Sequence, residues 1–276
     1  MSVEAEGATA RALDRAAAGS PAAPSTSHRA ERVATILSPV LLVVVWEAVA
    51  QVHLIDTRFF PPPSEIAAAL GKLIASGELL GHLSASAGRV VIGFLIGGVP
   101  AVAIGLLMGI SPLFRAFVRP LVSVTFPIPK IAILPLVILV FGLGEASKWA
   151  IVAIGVFFLV LINTLAGVLA IPRIYFDVAR TVGASRWQQY LTVALPGALP
   201  SILTGVQLGF GIALVVLVAA EFVGAKTGVG YLIWSSWQSF LIERMWAGLV
   251  VIAATGYLVQ LGLDWLEGRL VPWRGR

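Results

Sequence analysis

Residues that could carry catalysis are few and widely separated in this sequence. The three histidines, His28, His53 and His82, stand in different segments, and no H-E-x-x-H pattern or paired carboxylates on one helix face accompany them. Cysteine is absent, which excludes disulfides, thiolate metal sites and cysteine nucleophiles. The G-x-x-x-x-G-K-[S/T] loop that cradles nucleotide phosphates is also missing. We therefore expect a non-catalytic protein with no cofactor or metal of its own.

One segment does combine acidic, small and proline residues at a fixed spacing. Asp177 and Ala179 are followed by Gly183, and a Leu-Pro pair at 195–196 comes after a further helical stretch. Apolar and polar side chains alternate with a helical period over residues 176–193. We expect an amphipathic helix that bends at Gly183 and ends at the prolines. Such a helix leaves a face exposed, and a soluble partner protein is its natural cover.

The elements that position this segment have the composition of a membrane protein. The chain is 58% hydrophobic and 12% charged, whereas a soluble domain is roughly half apolar and a quarter charged. With a mean hydropathy of +0.95, it has too few polar residues to cover a water-facing surface, so a bilayer is the fitting solvent. The net charge of +5 is scattered between apolar runs and forms no patch, so we expect no nucleic-acid partner.

An all-α fold with about six membrane-spanning helices is predicted, because a span needs about 20 mostly apolar residues. The six apolar segments are residues 33–52, 90–110, 121–141, 149–170, 199–223 and 245–263. Pro127, Pro129 and Pro135 interrupt the third segment and free backbone carbonyls that lipid cannot satisfy. That segment should therefore lie against protein or a water-filled path.

The parts outside the spans differ in composition. Residues 64–84 are too polar to span, but their apolar positions recur at helical spacing, so we expect an amphipathic helix at the membrane surface. Residues 1–30 are rich in Ala, Ser, Pro and Arg without apolar periodicity, and we expect a disordered cytoplasmic tail. The remaining residues, 31–276, are expected to form one membrane domain.

Small residues and basic residues add two expectations. Glycines four positions apart should let helices approach closely, within one chain or at a seam between two copies; they are Gly93, Gly97, Gly105, Gly109, Gly205 and Gly209. Most Lys and Arg residues of the connecting segments fall on the side that carries both termini and the segment around Gly183. Because cytoplasmic loops are enriched in these residues, both termini and that segment should be cytoplasmic.

The spacing around Gly183 resembles the signature of the permease subunits of ABC importers: Glu-Ala-Ala, three residues, Gly, nine residues, then Ile-x-Leu-Pro. Here the matching residues are Asp177-Val178-Ala179, Gly183 and Val193-Ala194-Leu195-Pro196, with Asp for Glu, Val for Ala and Val for Ile as departures. The resemblance implies a type I ABC importer fold in which residues 176–193 form a coupling helix against a cytoplasmic ATPase. It assigns this contact to Asp177, Ala179, Gly183, Ala184, Leu195 and Pro196.

Two further stretches resemble the nitrate/sulfonate/taurine branch of these permeases. FPIPKIAILPLVILVFGLGEASKW (126–149) carries its Pro-x-Pro, Ala-x-x-Pro-Leu and Phe-Gly-x-Gly-Glu patterns, and AEFVGAKTGVGYLIW (220–234) carries its Ala-Glu and Gly-x-Gly-Tyr patterns. The resemblance spans about Ser84–Arg274. Lys130 is a departure, since an uncharged residue is more usual there.

Ionisable residues inside spans are functional candidates because burying a charge in lipid is costly. Lys130 either extends to the inner interface or attracts an anionic substrate. Glu221 is expected to form a structural or gating hydrogen bond with a neighbouring helix. The candidate residues of the translocation pathway are Pro129, Lys130, Pro135 and Glu221.

The resemblance implies a permease homodimer in a bacterial inner membrane, with lipid around it. Its partners would be a cytoplasmic ATPase dimer, which binds the ATP, and a periplasmic or lipid-anchored solute-binding protein. The solute would be small, such as a sulfonate, taurine or nitrate, and a pyrimidine-like or other nutrient remains open. A secondary transporter is the alternative class, but it would show internal repeats and need no coupling helix.

Overall fold

The structure, a computed structural model, describes residues 28–272 of the chain. The expected disordered tail, residues 1–30, lies outside the described residues except for 28–30, which begin the first helix. Residues 273–276 lie outside as well. The chain divides into two units, one ending at Ile55 and one beginning at Asp56.

The described chain is helical, and no strand occurs between residues 28 and 272. The helices are α1 (His28–Gln51), α2 (Pro63–Ala75), α3 (Glu78–Ile110), α4 (Pro112–Thr125), α5 (Leu134–Phe141), α6 (Glu145–Ala170), α7 (Arg173–Thr181), α8 (Arg186–Gln189), α9 (Leu195–Gly224), α10 (Val229–Gln238) and α11 (Ile242–Leu270). A 3-10 turn (Lys130–Ile133) precedes α5, and a π turn (Tyr190–Ala194) joins α8 to α9. The predicted all-α fold is therefore confirmed.

Four of the helical runs in the described chain are long and apolar enough to cross a bilayer. They are α3, α6, α11 and the run Arg186–Gly224, which combines α8, the π turn and α9. The pair of α4 and Lys130–Phe141 is bent by 85° and would count as a fifth span. The first predicted span corresponds to a shorter apolar stretch of α1, Leu37–Gln51, in the N-terminal unit.

The core of the second unit is built around α6, which packs against α3 on one side and α9 on the other. Its buried apolar residues form one cluster with partners from both neighbours: Ile151, Val152, Val156, Val160 and Leu161 with Ala101, Met108, Ala213, Val216 and Leu217. This three-helix core fixes the ends of its helices in space. The candidate sites lie at those ends and at the bend between α4 and α5.

The paired glycines allow this close packing within one chain. A Cβ atom at Gly93, Gly97, Gly105 or Gly109 would meet α6, and Gly205 and Gly209 face α6 from the other side. At Gly97 the obstacle is the backbone of Ala153 itself. Of the two roles considered for these glycines, packing within the chain is the one the structure supports.

The polar stretch 64–84 differs from the expected surface helix. Gly77 adopts a left-handed conformation (φ +74°) and splits the stretch into α2 and the first turns of α3. The second span therefore begins at Glu78, twelve residues before the predicted start at residue 90. Its polar side chains are tolerated because other parts of the protein, rather than lipid, surround them: His82, Ser86 and Arg89 are all buried.

Candidate functional site: the coupling segment and two polar centres

Residues 173–196, here called the coupling segment, contain a sharp turn centred on Gly183. Gly183 has φ +76°, its N–H donates to the carbonyl of Arg180, and the N–H of Ala184 donates to the carbonyl of Ala179. These two bonds form a Schellman motif, which ends α7 and needs a left-handed residue that glycine adopts without strain. The predicted bend at Gly183 is present. No atom of the described chain lies within 4 Å of a Cβ placed at Gly183.

A new helix starts immediately after this turn. The Ser185 side chain accepts from the N–H of Gln188, and the Gln188 side chain accepts from the N–H of Ser185, which completes a capping box. The buried Gln189 side chain donates to the carbonyl of Ala184 at 2.9 Å. These side-chain bonds hold the Gly183 turn against α8.

The second half of the expected coupling helix is the start of a span, so the prediction that Pro196 and Pro200 end it is wrong. Pro196 lies in the first turn of α9, and Pro200 lies inside that helix. A proline ring clashes with the carbonyl four residues earlier, which for Pro196 is that of Thr192. Thr192 belongs to the π turn, whose wider winding relieves such a clash. The helical run therefore continues from Arg186 to Gly224.

The helix α7 has one anchored face and one free face. Phe176 packs against the cluster formed by α3, α6 and α9, and Ala179 is 9% exposed. The opposite face is apolar yet exposed, and consists of Ile174, Tyr175 and Val178 with Val182, the C-cap residue of α7. Asp177 and Arg180 flank it with a weak ion pair of 3.5 Å. Of the six residues assigned to the ATPase contact, Asp177, Ala179, Gly183 and Ala184 share this turn, and Leu195 and Pro196 begin α9.

The bend between α4 and α5 sets the half-buried Lys130 beside α6. Its Nζ donates to the carbonyls of Thr125 (3.0 Å) and Phe126 (3.1 Å), which are freed where α4 ends. Nζ also lies 4.2 Å from the ring centroid of Phe158. Phe158 is at the middle of α6, so Lys130 lies beside the midpoint of a helix that is long and apolar enough to span a bilayer. The two alternatives for Lys130, extension to the inner interface and attraction of an anionic substrate, stay predictions.

A second polar centre lies at the end of the core opposite to the coupling segment. Arg89 forms a fork with Glu145, with two contacts of 2.7 Å, and its Nη1 donates to Glu221 Oε1 at 2.7 Å. Nη1 and Nη2 also donate to the carbonyl and hydroxyl of Thr227. All five N–H donors of the guanidinium are thus used. The group links α3, α6, α9 and the loop before α10.

Glu221 has no exposed surface and is satisfied from three directions. Besides Arg89, it accepts from the Ser86 hydroxyl (2.8 Å) and from the N–H of Gly230 (2.8 Å). The predicted hydrogen bonds to neighbouring helices are therefore present.

The two groups of pathway candidates lie far apart. Lys130 lies beside Phe158, whereas the centre around Glu221 includes Glu145. Phe158 follows Glu145 by thirteen residues in α6, a separation of about 20 Å at 1.5 Å per residue. The structure does not bring Glu221 together with Pro129, Lys130 and Pro135.

Two further residues complete this centre. The His82 ring is buried, and its Nδ1 accepts from the N–H of Gly228 at 3.1 Å, so His82 does not lie in a surface segment. Lys148 is also buried and donates to the carbonyls of Leu143, Gly144 and Gly224. Sequence reasoning missed Arg89, Ser86 and His82 because it started the second span too late. The sequence signal that could have revealed this centre is Arg89, a charged residue in a helical pattern that continues into a span.

Neither centre has the donors of a metal site. No group of three or more His, Cys, Asp or Glu side chains within the described residues could hold a metal ion. The carboxylates of Glu145 and Glu221 are both occupied by Arg89.

Comparison with known proteins gives the family. The sequence profile described as "Binding-protein-dependent transport system inner membrane component" matches residues 101–272, more than half of the chain. The chain belongs to this family. The permease is 36% identical over 243 residues to the taurine transport system permease protein TauC of Escherichia coli (strain K12), which covers 85% of this chain and 87% of the relative.

Other relatives agree with this placement. The permease is 36% identical to the putative aliphatic sulfonates transport permease protein SsuC of Bacillus subtilis (strain 168), with 87% of both chains covered. It is 29% identical to the nitrate import permease protein NrtB of Leptolyngbya laminosa, with 70% of both chains covered. The fold resembles the inward-facing MetNI methionine ABC transporter, with a TM-score of 0.58, 21% identity, and coverage of 68% of this chain and 91% of that one. The predicted ABC importer permease fold is confirmed.

Proposed function

We propose that the permease is the membrane subunit of an ATP-driven importer for small anions of the sulfonate type, including taurine-like solutes. Two copies would form the translocation unit in a bacterial inner membrane with both termini in the cytoplasm. Two cytoplasmic ATPases would contact the coupling segments, and a periplasmic or lipid-anchored binding protein would deliver the solute from outside.

The exposed apolar face of α7 is the observation that carries the ATPase partnership. Val178 and Val182 are 56% and 77% exposed, although the same helix is firmly anchored through Phe176 and Ala179. An anchored helix with a free apolar face is suited to transmit a push or pull from a partner protein into the spans. The chain lacks the G-x-x-x-x-G-K-[S/T] loop, so ATP binding falls to the partner.

The α8–α9 run provides a mechanical path from this face into the membrane. After the Gly183 turn, α8 continues through the π turn into α9 without a break. Movement of the Gly183 turn would therefore displace a helix that packs along α6. Alternating access follows if the two copies rock against each other when the ATPases close.

The solute class rests on the relatives. The two relatives at 36% identity carry the names of taurine and aliphatic sulfonate permeases. The relative named for nitrate is more distant, at 29% identity over 70% of the chain. A small sulfonate is therefore the first solute to test, and nitrate is the second.

The test is transport by the reconstituted complex. The permease would be co-expressed with the ATPase and binding protein encoded beside its gene, purified by a tag on the permease, and placed in liposomes. We expect the ATPase to copurify, and ATP to drive uptake of labelled taurine or ethanesulfonate. Val182→Asp should abolish copurification while Val182→Thr, which is nearly the same shape, preserves it.

Specific outcomes would contradict the proposal. If the tagged permease never retains an ATPase, or if Val182→Asp leaves copurification unchanged, the coupling role of α7 fails. If nitrate but neither sulfonate enters the liposomes, the coupling role stands and the solute class is wrong.

A further inference from the structure

We infer that Lys130 forms an anion-binding site within the membrane, at which the permease itself selects for a negatively charged solute. The inference rests on the proposed function, because it requires the bend between α4 and α5 to face the translocation pathway. It goes beyond that function in placing charge selection in the membrane subunit as well as in the binding protein.

The position of Lys130 is the first observation. Its ammonium lies beside Phe158 at the middle of α6, a helix of 26 residues that is about 39 Å long. If α6 crosses the bilayer as a span, a cation beside its middle lies about 15 Å from either edge of a hydrocarbon layer that is about 30 Å thick. Ionisable residues at such depth usually face a water-filled cavity or the interior of an assembly.

The charge balance is the second observation. At the other polar centre, two cations, Arg89 and Lys148, accompany two carboxylates, Glu145 and Glu221. Around Lys130 the balance is missing, because residues 112–141 contain no Asp or Glu. Among the ion pairs of the described residues, none includes Lys130. One positive charge near mid-membrane is left for a mobile anion to neutralise.

The immediate surroundings of the ammonium suit an organic anion. Two of its contacts are carbonyl oxygens that hold it in place, and Phe158 and Phe126 stand 4.2 and 5.9 Å from it. Exposed apolar side chains lie next to it on the bend, including Ile128 (43%) and Ile131 (47%). A fixed cation bordered by apolar surface matches a solute with a charged oxyanion head and a short aliphatic tail.

A purely structural role for Lys130 would be that of a helix cap. A basic residue at the end of a helix stabilises the last carbonyls through hydrogen bonds and the helix dipole. Glutamine can also donate to carbonyls but carries no charge. Lys130→Gln therefore preserves a donor and removes the charge, whereas Lys130→Arg preserves the charge. Comparing these two variants distinguishes a role of Lys130 in anion recognition from a role in helix capping.

The experiment measures the initial rate of ethanesulfonate uptake into liposomes containing the complete importer. Because a hydrogen bond to a charged group contributes about 1.5–3 kcal/mol, Lys130→Gln should lower the rate by roughly 10- to 100-fold. Lys130→Arg should recover most of it. Lys226→Gln removes the same charge from an exposed loop and should keep the wild-type rate. A wild-type rate for Lys130→Gln, or equal losses for Lys130→Arg and Lys130→Gln, would overturn the inference.

A second measurement does not depend on the folding of a Lys130 variant. The permease has no cysteine, so Ile128→Cys gives each permease chain one thiol, which lies beside the site. Sulfonatoethyl methanethiosulfonate, an anion, should label it several-fold faster than the cationic trimethylammonium analogue, and added ethanesulfonate should slow the labelling. The reverse preference would overturn the inference. Slowing by sulfate but not by ethanesulfonate would assign the site to a resident inorganic ion and also overturn it.

Failure of the proposed function gives a different pattern. If the wild-type complex hydrolyses ATP but takes up no anionic solute at all, the sulfonate importer proposal itself is wrong. Loss of uptake confined to Lys130→Gln is the result that supports the site.

Discussion

Arg89 and Glu221 are separated by 132 positions in the chain, yet Arg89 Nη1 donates to Glu221 Oε1 across 2.7 Å inside the core. Their side chains are 5% and 0% exposed. The contact joins α3 to α9, and the fork from Arg89 to Glu145 adds α6. One guanidinium therefore ties together the ends of the three helices that form the core, at the end opposite to the coupling segment.

Removing the cation should destabilise the permease strongly. Arg89→Met leaves the carboxylate of Glu221 buried without its charge partner, and breaking such a pair costs about 3–5 kcal/mol. The double variant Arg89→Met/Glu221→Met removes both buried charges and should regain part of the loss. Thermal unfolding in detergent, followed by the fluorescence of the eight tryptophans, checks this. A wild-type midpoint for Arg89→Met would show that the network does not hold the helices together.

The glycine contact between α3 and α6 gives a matched pair of substitutions in one helix. A Cβ at Gly97 would run into the backbone of Ala153, whereas a Cβ at Gly88 has no atom within 4 Å. Gly97→Ala should force α3 and α6 apart and lower the unfolding temperature. Gly88→Ala should be neutral or stabilising, since alanine is favoured over glycine in a helix by about 1 kcal/mol. Equal effects would contradict the close contact between α3 and α6 at Gly97.

Two loop glycines with positive φ allow a second matched comparison: Gly142, after α5, and Gly228, before α10. Gly142 (φ +77°) has open space where a Cβ would stand, whereas a Cβ at Gly228 (φ +119°) would overlap the carboxylate of Glu221. Gly142 has ψ −179°, a backbone region that is essentially reserved for glycine, so Gly142→Ala should cost only that backbone strain, about 1–3 kcal/mol. Gly228→Ala should cost more, because it also disturbs the buried carboxylate. Midpoints of thermal unfolding decide the order, and a smaller cost at Gly228 would contradict it.

Substitutions at Gly183 separate backbone strain from partner contact. Asparagine tolerates positive φ better than other side chains, and the space around Gly183 is open within the described chain. Gly183→Asn should therefore leave the unfolding temperature of the isolated permease close to wild type. If the ATPase approaches this turn closely, the same variant should weaken copurification of the ATPase and reduce ATP-driven uptake. Unchanged copurification and uptake would show that the ATPase contacts α7 elsewhere.

Several features could be read from the sequence because they depend on local chemistry. The spans of α6 and α9 follow from uninterrupted apolar composition, and the break between α4 and α5 follows from prolines that cannot donate backbone hydrogen bonds. The turn at Gly183 follows from a glycine placed where a helix must end. Motif spacing in the same segment was sufficient to indicate the family, which the comparisons then confirmed.

Tertiary structure decided what depends on distant partners. The predicted start of α3 was too late because an arginine such as Arg89 is costly in lipid. It is accommodated here by ion pairs with Glu145 and Glu221. These partners are distant in sequence, so no local pattern indicates the contact. The continuation of α8 into α9 through Pro196 depended on a π turn, a winding that composition does not reveal. The position of Lys130 beside Phe158 depended on the 85° bend between α4 and α5. Sequence thus determined which segments enter the membrane, and packing determined which of their charges are compensated there.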